Sequence, residues 1–368
     1  MTAGKARLWT GIGCVGTMVV FASASLYISV PQMVFPTEAT TASREFVAVV
    51  LFLLTTAVLL LPFDFLGGIL IPAAYEPHPP ETAQWIRKWL RSVVIQLLFF
   101  SVTLFFYLQI GREVGTLWLL ALFFVLQLTL VAGQELIWRI MTSAQTRGTG
   151  NESTQFVQQC DSRFAGGITG LPGCESILLP DCWRNEMPPS WLSLLIKRRQ
   201  AAIVSGSRFR GIVAAIVWNN AVFGAALILG GGSMESVADL VTVFHWFLLC
   251  SFLGLLTLPT LNRRAVFALD RLVADNASIA ELQAAIRNVD QLTEQDPSRS
   301  TSAESVFQPI PCADRRVQQL RKLQSGKPCA WNIARTALFL SWAFGGPLAR
   351  AVHCNVGRPE LWALMPTD

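Results

Sequence analysis

The chain has 368 residues, of which 52% are apolar and only 14% charged, with a formal net charge of +5. That length is enough for two or three domain-sized units. Several apolar runs approach the ~20 residues needed to cross a bilayer, so a polytopic membrane protein is predicted. The small positive charge reads as loop bias in such a protein, not as a nucleic-acid footprint.

In chain order, Lys5 and Arg7 precede a first span at residues 9–30. Ala22 to Ala24 could mimic a signal-peptidase site, but apolar sequence continues past it, which predicts an uncleaved span. A second span at 46–71 carries Pro62, Asp64, Gly67 and Gly68 near its end. An intramembrane carboxylate is a functional candidate, but the place of Asp64 near the interface favours a hydrated helix end. A loop follows, rich in Pro77, Pro79 and Pro80 and holding His78. The third span is read at 91–110, a hairpin at Gly111 to Gly115, and the fourth span at 116–132. Gln134, Glu135 and Arg139 then return the chain to water.

Residues 142–155 are rich in Ser, Thr, Gly, Asn and Gln and read as a linker, with a sequon by pattern at Asn151. Residues 156–210 form a first soluble block. A two-span hairpin (212–228 and 240–261) follows, turning at Gly230 to Ser233. A second, mainly helical soluble block occupies 262–327, with a flexible loop at 290–305. The apolar stretch 334–352 is broken at Gly345, Gly346 and Pro347 and ends at Arg350. It reads as a core or interfacial helix in preference to a seventh span.

The division expected is therefore a four-span region (1–141), the linker (142–155), one half of a soluble domain (156–210), the hairpin (211–261) and the other half (262–368). Lys and Arg concentrate on one side of this six-span layout. Arg44 and Arg112 fall on the other. That bias places both termini and both soluble blocks in the cytoplasm, and the membrane expected to hold the protein is the inner membrane of a bacterium. The eight cysteines form no C-x-x-C pair, which argues against a zinc ribbon.

The stretch from Gly170 to Gly211 carries a more specific signal. Ile177-Leu178-Leu179-Pro180-Asp181 reads as a strand phrase and Met187-Pro188-Pro189-Ser190-Trp191-Leu192 as a helix cap. After the hairpin come Asn262-Arg263-Arg264 with Asp270, and then Ile310-Pro311 with Arg316-Val317 and Leu320. This order resembles the HtpX-type membrane metallopeptidases, the group that includes the CAAX prenyl endopeptidases. The resemblance implies a mainly α fold: about six transmembrane helices plus a cytoplasmic helical peptidase-like domain with a small β element, split by the two-span hairpin.

It also implies where a zinc site would lie. The family's His-Glu-x-x-His falls on Arg198-Arg199-Gln200-Ala201-Ala202, and its third ligand, a Glu, on Val266. Asp270 matches the family's Asp. Zinc hydrolysis needs three protein ligands, an open position and a Glu to take a proton from bound water. The only histidines are His78, His245 and His353, and no two are four apart. Arg199 stays protonated and cannot act as a base. No zinc and no other cofactor is expected.

Three readings of Lys197, Arg198 and Arg199 stay open. They can form a solvated basic face, which with Arg208 and Arg210 would attract anionic lipid. Arg198 or Arg199 can form an ion pair with Asp270. They can also serve a catalytic or substrate-binding role. The leading expectation for the whole chain is a non-catalytic pseudopeptidase acting as a scaffold or binding protein, with membrane lipid and a protein of unknown identity as partners. The alternatives are an enzyme with a different site, built from Cys174, Asp181, Cys182 and Glu186, or a small transporter using Asp64 and Glu135.

Overall fold

A computed structural model describes residues 2–76, 79–148, 154–158, 164–293, 304, 307–322 and 329–364. His78, the Asn151 sequon and Cys160 lie outside these residues. Among the described residues, six helices are long and apolar enough to cross a membrane. The first is α1 (Ala3–Tyr27), opened by a Thr2 cap whose hydroxyl accepts from the Lys5 amide. A one-turn α2 (Val30–Val34) leads to α3 (Ala42–Phe65), which continues through a π-helical turn (Leu66–Leu70) into α4 (Ile71–Tyr75). The third and fourth spans are α5 (Thr82–Glu113) and α6 (Thr116–Thr142).

The chain then leaves the bundle. Ser143, in the left-handed region at φ 58°, ends α6, and a four-stranded sheet follows. Its strands are β1 (Gln145–Gly148), β2 (Thr154–Gln158), β3 (Gly167–Thr169) and β4 (Ser176–Pro180), in spatial order β1-β2-β4-β3. β2 and β4 run parallel, and the two outer pairings are antiparallel. The stretch read as a linker therefore contains β1 and the start of β2. A polar edge strand owes its conformation to backbone pairing, and composition does not report that.

After the one-turn α7 (Trp183–Glu186) comes α8 (Pro189–Val204), with Pro189 at its first position, where a missing N–H costs nothing. Gly206 at φ 68° then turns the chain into α9 (Ser207–Leu229), the fifth span. The sixth, α10 (Val237–Ala274), starts at a capping box formed by Ser236 and Asp239. Its 38 residues reach about 57 Å at 1.5 Å per residue, far more than a bilayer core requires. Its last turns project beyond the span and belong to the soluble block.

That block is completed by α11 (Ile279–Leu292) and α12 (Ala313–Arg321). α11 runs into the stretch read as a flexible loop, and residues 294–303 lie outside the described ones. One apolar cluster joins the sheet, α8 and α10 through Ile177, Leu179, Leu195, Ala202, Val266 and Leu269. A smaller one joins α8, α10, α11 and α12 through Leu194, Val273, Leu282 and Leu320.

The C-terminal stretch is neither a span nor a surface helix. α13 (Ile333–Leu340), a 3-10 turn (Ser341–Phe344) and the one-turn α14 (Leu348–Ala351) fold into the bundle itself. Phe344 meets the rings of Tyr107, Phe223 and Phe247 at centroid distances of 5.1, 4.8 and 5.5 Å. Asn219 of α9 donates to the Ala337 carbonyl at 2.9 Å, and Trp138 of α6 to the Glu360 carbonyl at 2.9 Å. Irregular backbone at this depth is tolerable because protein, not lipid, surrounds it.

Candidate functional site

The residues singled out by the sequence converge where α8, the end of α10 and α12 meet. The inward stripe of α8 is Leu194, Leu195, Arg198, Arg199 and Ala202, spaced by three and four residues. On α10 the inward stripe is Asn262, Ala265, Val266, Leu269, Asp270 and Val273. Arg316, Val317 and Leu320 face inward from α12.

Asp270 is 1% exposed and is held by two arginines. Arg198 donates from Nε to Oδ1 at 2.6 Å. Arg316 donates from Nε to Oδ2 and from Nη2 to Oδ1, both at 2.8 Å. The Arg316 pair is bidentate, the geometry in which guanidinium matches carboxylate best. α12 is itself fixed by Asp290 of α11, whose Oδ2 accepts from the Ala313 amide at 2.9 Å. Asn262 ties α10 to the Pro309 carbonyl at 2.6 Å.

Arg199 turns toward the sheet. It donates to the Leu178 carbonyl at 2.6 Å and also to the Ala165 carbonyl. Gly166, at φ 72°, permits this. A Cβ there would lie 2.0 Å from the Leu178 oxygen and 3.1 Å from Arg199 Nη1. Arg199 thus fastens α8 to β4 and to the turn before β3.

Ala202 and Val266 are fully buried in the apolar cluster beneath these arginines. The four positions implied for zinc chemistry therefore hold two guanidinium groups, a methyl and an isopropyl. Both oxygens of the neighbouring carboxylate already accept from arginine. No group of three His, Cys, Asp or Glu able to hold a metal occurs among the described residues. These side chains do not fit a zinc ion, which needs anionic or neutral lone-pair donors at three corners.

The basic face is smaller than the sequence suggested. Lys197 and Arg210 are exposed, but Arg198 and Arg199 are 1% and 0% exposed, and Arg208 is 5% exposed. Arg208 points inward, donating to the Gly170 carbonyl at 2.6 Å and facing Glu175 at 3.5 Å. A helix has one face for lipid or water and one for its neighbours, and residues 198, 199 and 208 fall on the second.

The other candidate groups are also occupied. Asp64 is 1% exposed and is no hydrated helix end. It receives Arg350 Nε at 2.8 Å, Trp89 Nε1 at 2.9 Å and the Gly357 amide at 3.0 Å. Glu135 pairs with Arg139 and accepts from Thr169 Oγ1 at 3.1 Å, joining α6 to β3. Cys174 and Glu186 are exposed, and Asp181 lies 3.6 Å from Arg184. Burial, followed by the Glu186 carboxylate, pushes the Cys182 thiol up to about 11.

Sequence reasoning placed Arg316 in a tail phrase without giving it a partner. Its spacing from Ile310-Pro311 was the available signal. It read Arg350 only as the end of an apolar stretch and gave it no partner; the carboxylate it meets, Asp64, lies 286 residues away.

Among the described residues, six helices able to cross a membrane, with a helical soluble block that surrounds a small sheet and is split by a two-span hairpin, define a multi-pass membrane protein. The chain is similar in structure to Ste24p of S. mikatae. The crystal structure of that protein aligns with a TM-score of 0.65 over 82% of this chain and 81% of that one, at 11% sequence identity. At that identity the likeness is one of fold. No family model matches the sequence, and no curated protein matches it.

Proposed function

We propose that this chain is a pseudopeptidase: a membrane protein that keeps the metallopeptidase frame and uses it to bind, not to cleave. The observation behind this reading is the Arg198–Asp270–Arg316 cluster at the junction of α8, α10 and α12. A guanidinium cannot ligate zinc, and at the base position it cannot take a proton from water. The cluster does the mechanical work of a metal cross-link. It ties the two halves of the soluble block together across the α9–α10 hairpin.

A scaffold of this kind presents its surface to membrane lipid and to a protein partner, and nothing in its charge favours nucleic acid. The alternative site at Cys182 is disfavoured by its raised thiol, since the thiolate is the nucleophile. Transport through Asp64 or Glu135 is disfavoured by the ion pairs that engage both carboxylates.

The purified protein should contain far less than one zinc per chain and should not hydrolyse an unfolded protein substrate. One tightly bound zinc, removed by chelator together with a peptidase activity, overturns the proposal. We further propose that the soluble block and both termini face the cytoplasm of a bacterial cell, an orientation that the Lys/Arg bias supports. Exposed Cys174 should then resist a membrane-impermeant maleimide in intact cells and react after lysis. Labelling in intact cells reverses the orientation.

A further inference from the structure

The fifth span marks where the bilayer begins. Phe209, Val213 and Val217 recur every four residues on α9 and are 54%, 41% and 63% exposed. One apolar stripe therefore faces lipid from the first turn of the helix. Arg210, beside this stripe, turns its guanidinium back and donates from Nη2 to the Ser205 carbonyl at 2.9 Å. A long cation at the end of a span reaches back to the headgroups in this way. The boundary on α9 therefore falls near residues 205–210.

Two parts of the soluble block end at that level. α8 presents an outward stripe of Ser193, Lys197, Gln200 and Val204, all exposed and spaced by three and four residues. The stripe is polar until its last member. Val204 is 87% exposed, and only Ser205 and Gly206 separate it from α9. The second part is the turn between β3 and β4. Arg208, in the first turn of α9, holds this turn by donating to the Gly170 carbonyl at 2.6 Å and facing Glu175 at 3.5 Å. Leu171 in the turn is 41% exposed, and Pro172 beside it is exposed too.

We infer that Val204 and Leu171 form an interfacial anchor, which seats the soluble block on the phospholipid surface with both side chains at the acyl boundary and Lys197 and Arg210 toward the phosphates. Apolar side chains at a boundary carrying cations suit that surface, where acyl chains and phosphates lie side by side. Arg198 lies six residues before Val204, about 9 Å along α8 at 1.5 Å per residue, so the anchor holds the arginine cluster close to the headgroups. The anchor rests on the membrane reading of the chain. It is independent of whether the chain cleaves peptides and of which side of the membrane the block faces.

Nitroxide quenching in phosphatidylcholine nanodiscs tests this. The full chain, with Cys160→Ser, Cys174→Ser and Cys329→Ser, receives one labelled cysteine at a time through Leu171→Cys, Val204→Cys or Ser193→Cys. Ser193 is the control, on the same stripe of α8 and ~16 Å further from the corner. A lipid nitroxide just below the headgroup should quench an environment-sensitive fluorophore at 171 and 204 by about half, and at 193 by less than about a tenth. Aqueous iodide should give the reverse order. Adding Val204→Glu should lower lipid quenching of the 171 label about twofold, while Val204→Leu preserves it. Lipid quenching at 171 and 204 no greater than at 193, or equal access of iodide to all three, overturns the anchor. Labels at 171 and 204 shielded from both quenchers are covered by protein, which overturns it as well.

Discussion

Arg316 grips Asp270 through two parallel hydrogen bonds of 2.8 Å, joining residues 46 positions apart in sequence. Arg198 reaches the same carboxylate from a helix that precedes the α9–α10 hairpin. One buried anion thus fastens α8, α10 and α12.

Asp270→Ala should destabilise the protein by about 3–5 kcal/mol, because it leaves two guanidinium groups buried without their anion. Thermal unfolding in detergent measures this. A cycle with Arg316→Met should show coupling of about 0.5–3 kcal/mol between residues 270 and 316. A cost of Asp270→Ala within about 0.5 kcal/mol, the range of an ordinary surface change, would remove the cluster's structural role.

Arg350→Met should cost a similar ~3–5 kcal/mol, since it strands the Asp64 carboxylate inside the bundle. Arg350 also lies over Trp362, 4.4 Å from its ring centroid, so the loss should loosen the chain after α13. Limited proteolysis should cut Arg350→Met between residues 333 and 364 while wild type resists. Arg350→Lys should recover only part of the stability, because a point charge cannot reproduce the planar fork.

Gly68→Ala should destabilise by about 1–3 kcal/mol through overpacking. A Cβ there would lie 2.0 Å from Trp85 Nε1 and 2.5 Å from the Gly357 carbonyl, which that indole donates to. Gly16→Ala, whose Cβ meets open space, is the control and should change the unfolding temperature little. Equal effects of the two would contradict the close approach of the π-helical turn to Trp85 and the C-terminal segment.

Alkylation of Cys182 should be slow at pH 8. Its pKa is raised to about 11, so the thiolate is a minor species there and its fraction rises about tenfold per pH unit until the plateau near pH 11. In denaturant the rate should level off near pH 9, since an ordinary thiol titrates at about 8.5. Site-resolved mass spectrometry separates Cys182 from exposed Cys174 and Cys329. A folded-state midpoint at or below 8.5 would contradict the burial and the influence of Glu186.

The sequence by itself determined the spans, because a run of ~20 apolar residues has one low-energy place, the hydrocarbon core. It also located β4, α8 and the soluble end of α10, through local phrases whose proline and apolar spacing act over a few residues. It could not decide what each buried charge meets. Arg208 and Arg210 are two positions apart on one helix, and only the first is buried, against Gly170 and Glu175. Asp64 looked like a hydrated helix end until Arg350 and Trp89 closed over it. Strand β1 needed β2 to give its backbone a partner. Only the tertiary structure decided these points, because the energy of a buried charge or an edge strand depends on partners that chain folding, not chain order, brings near.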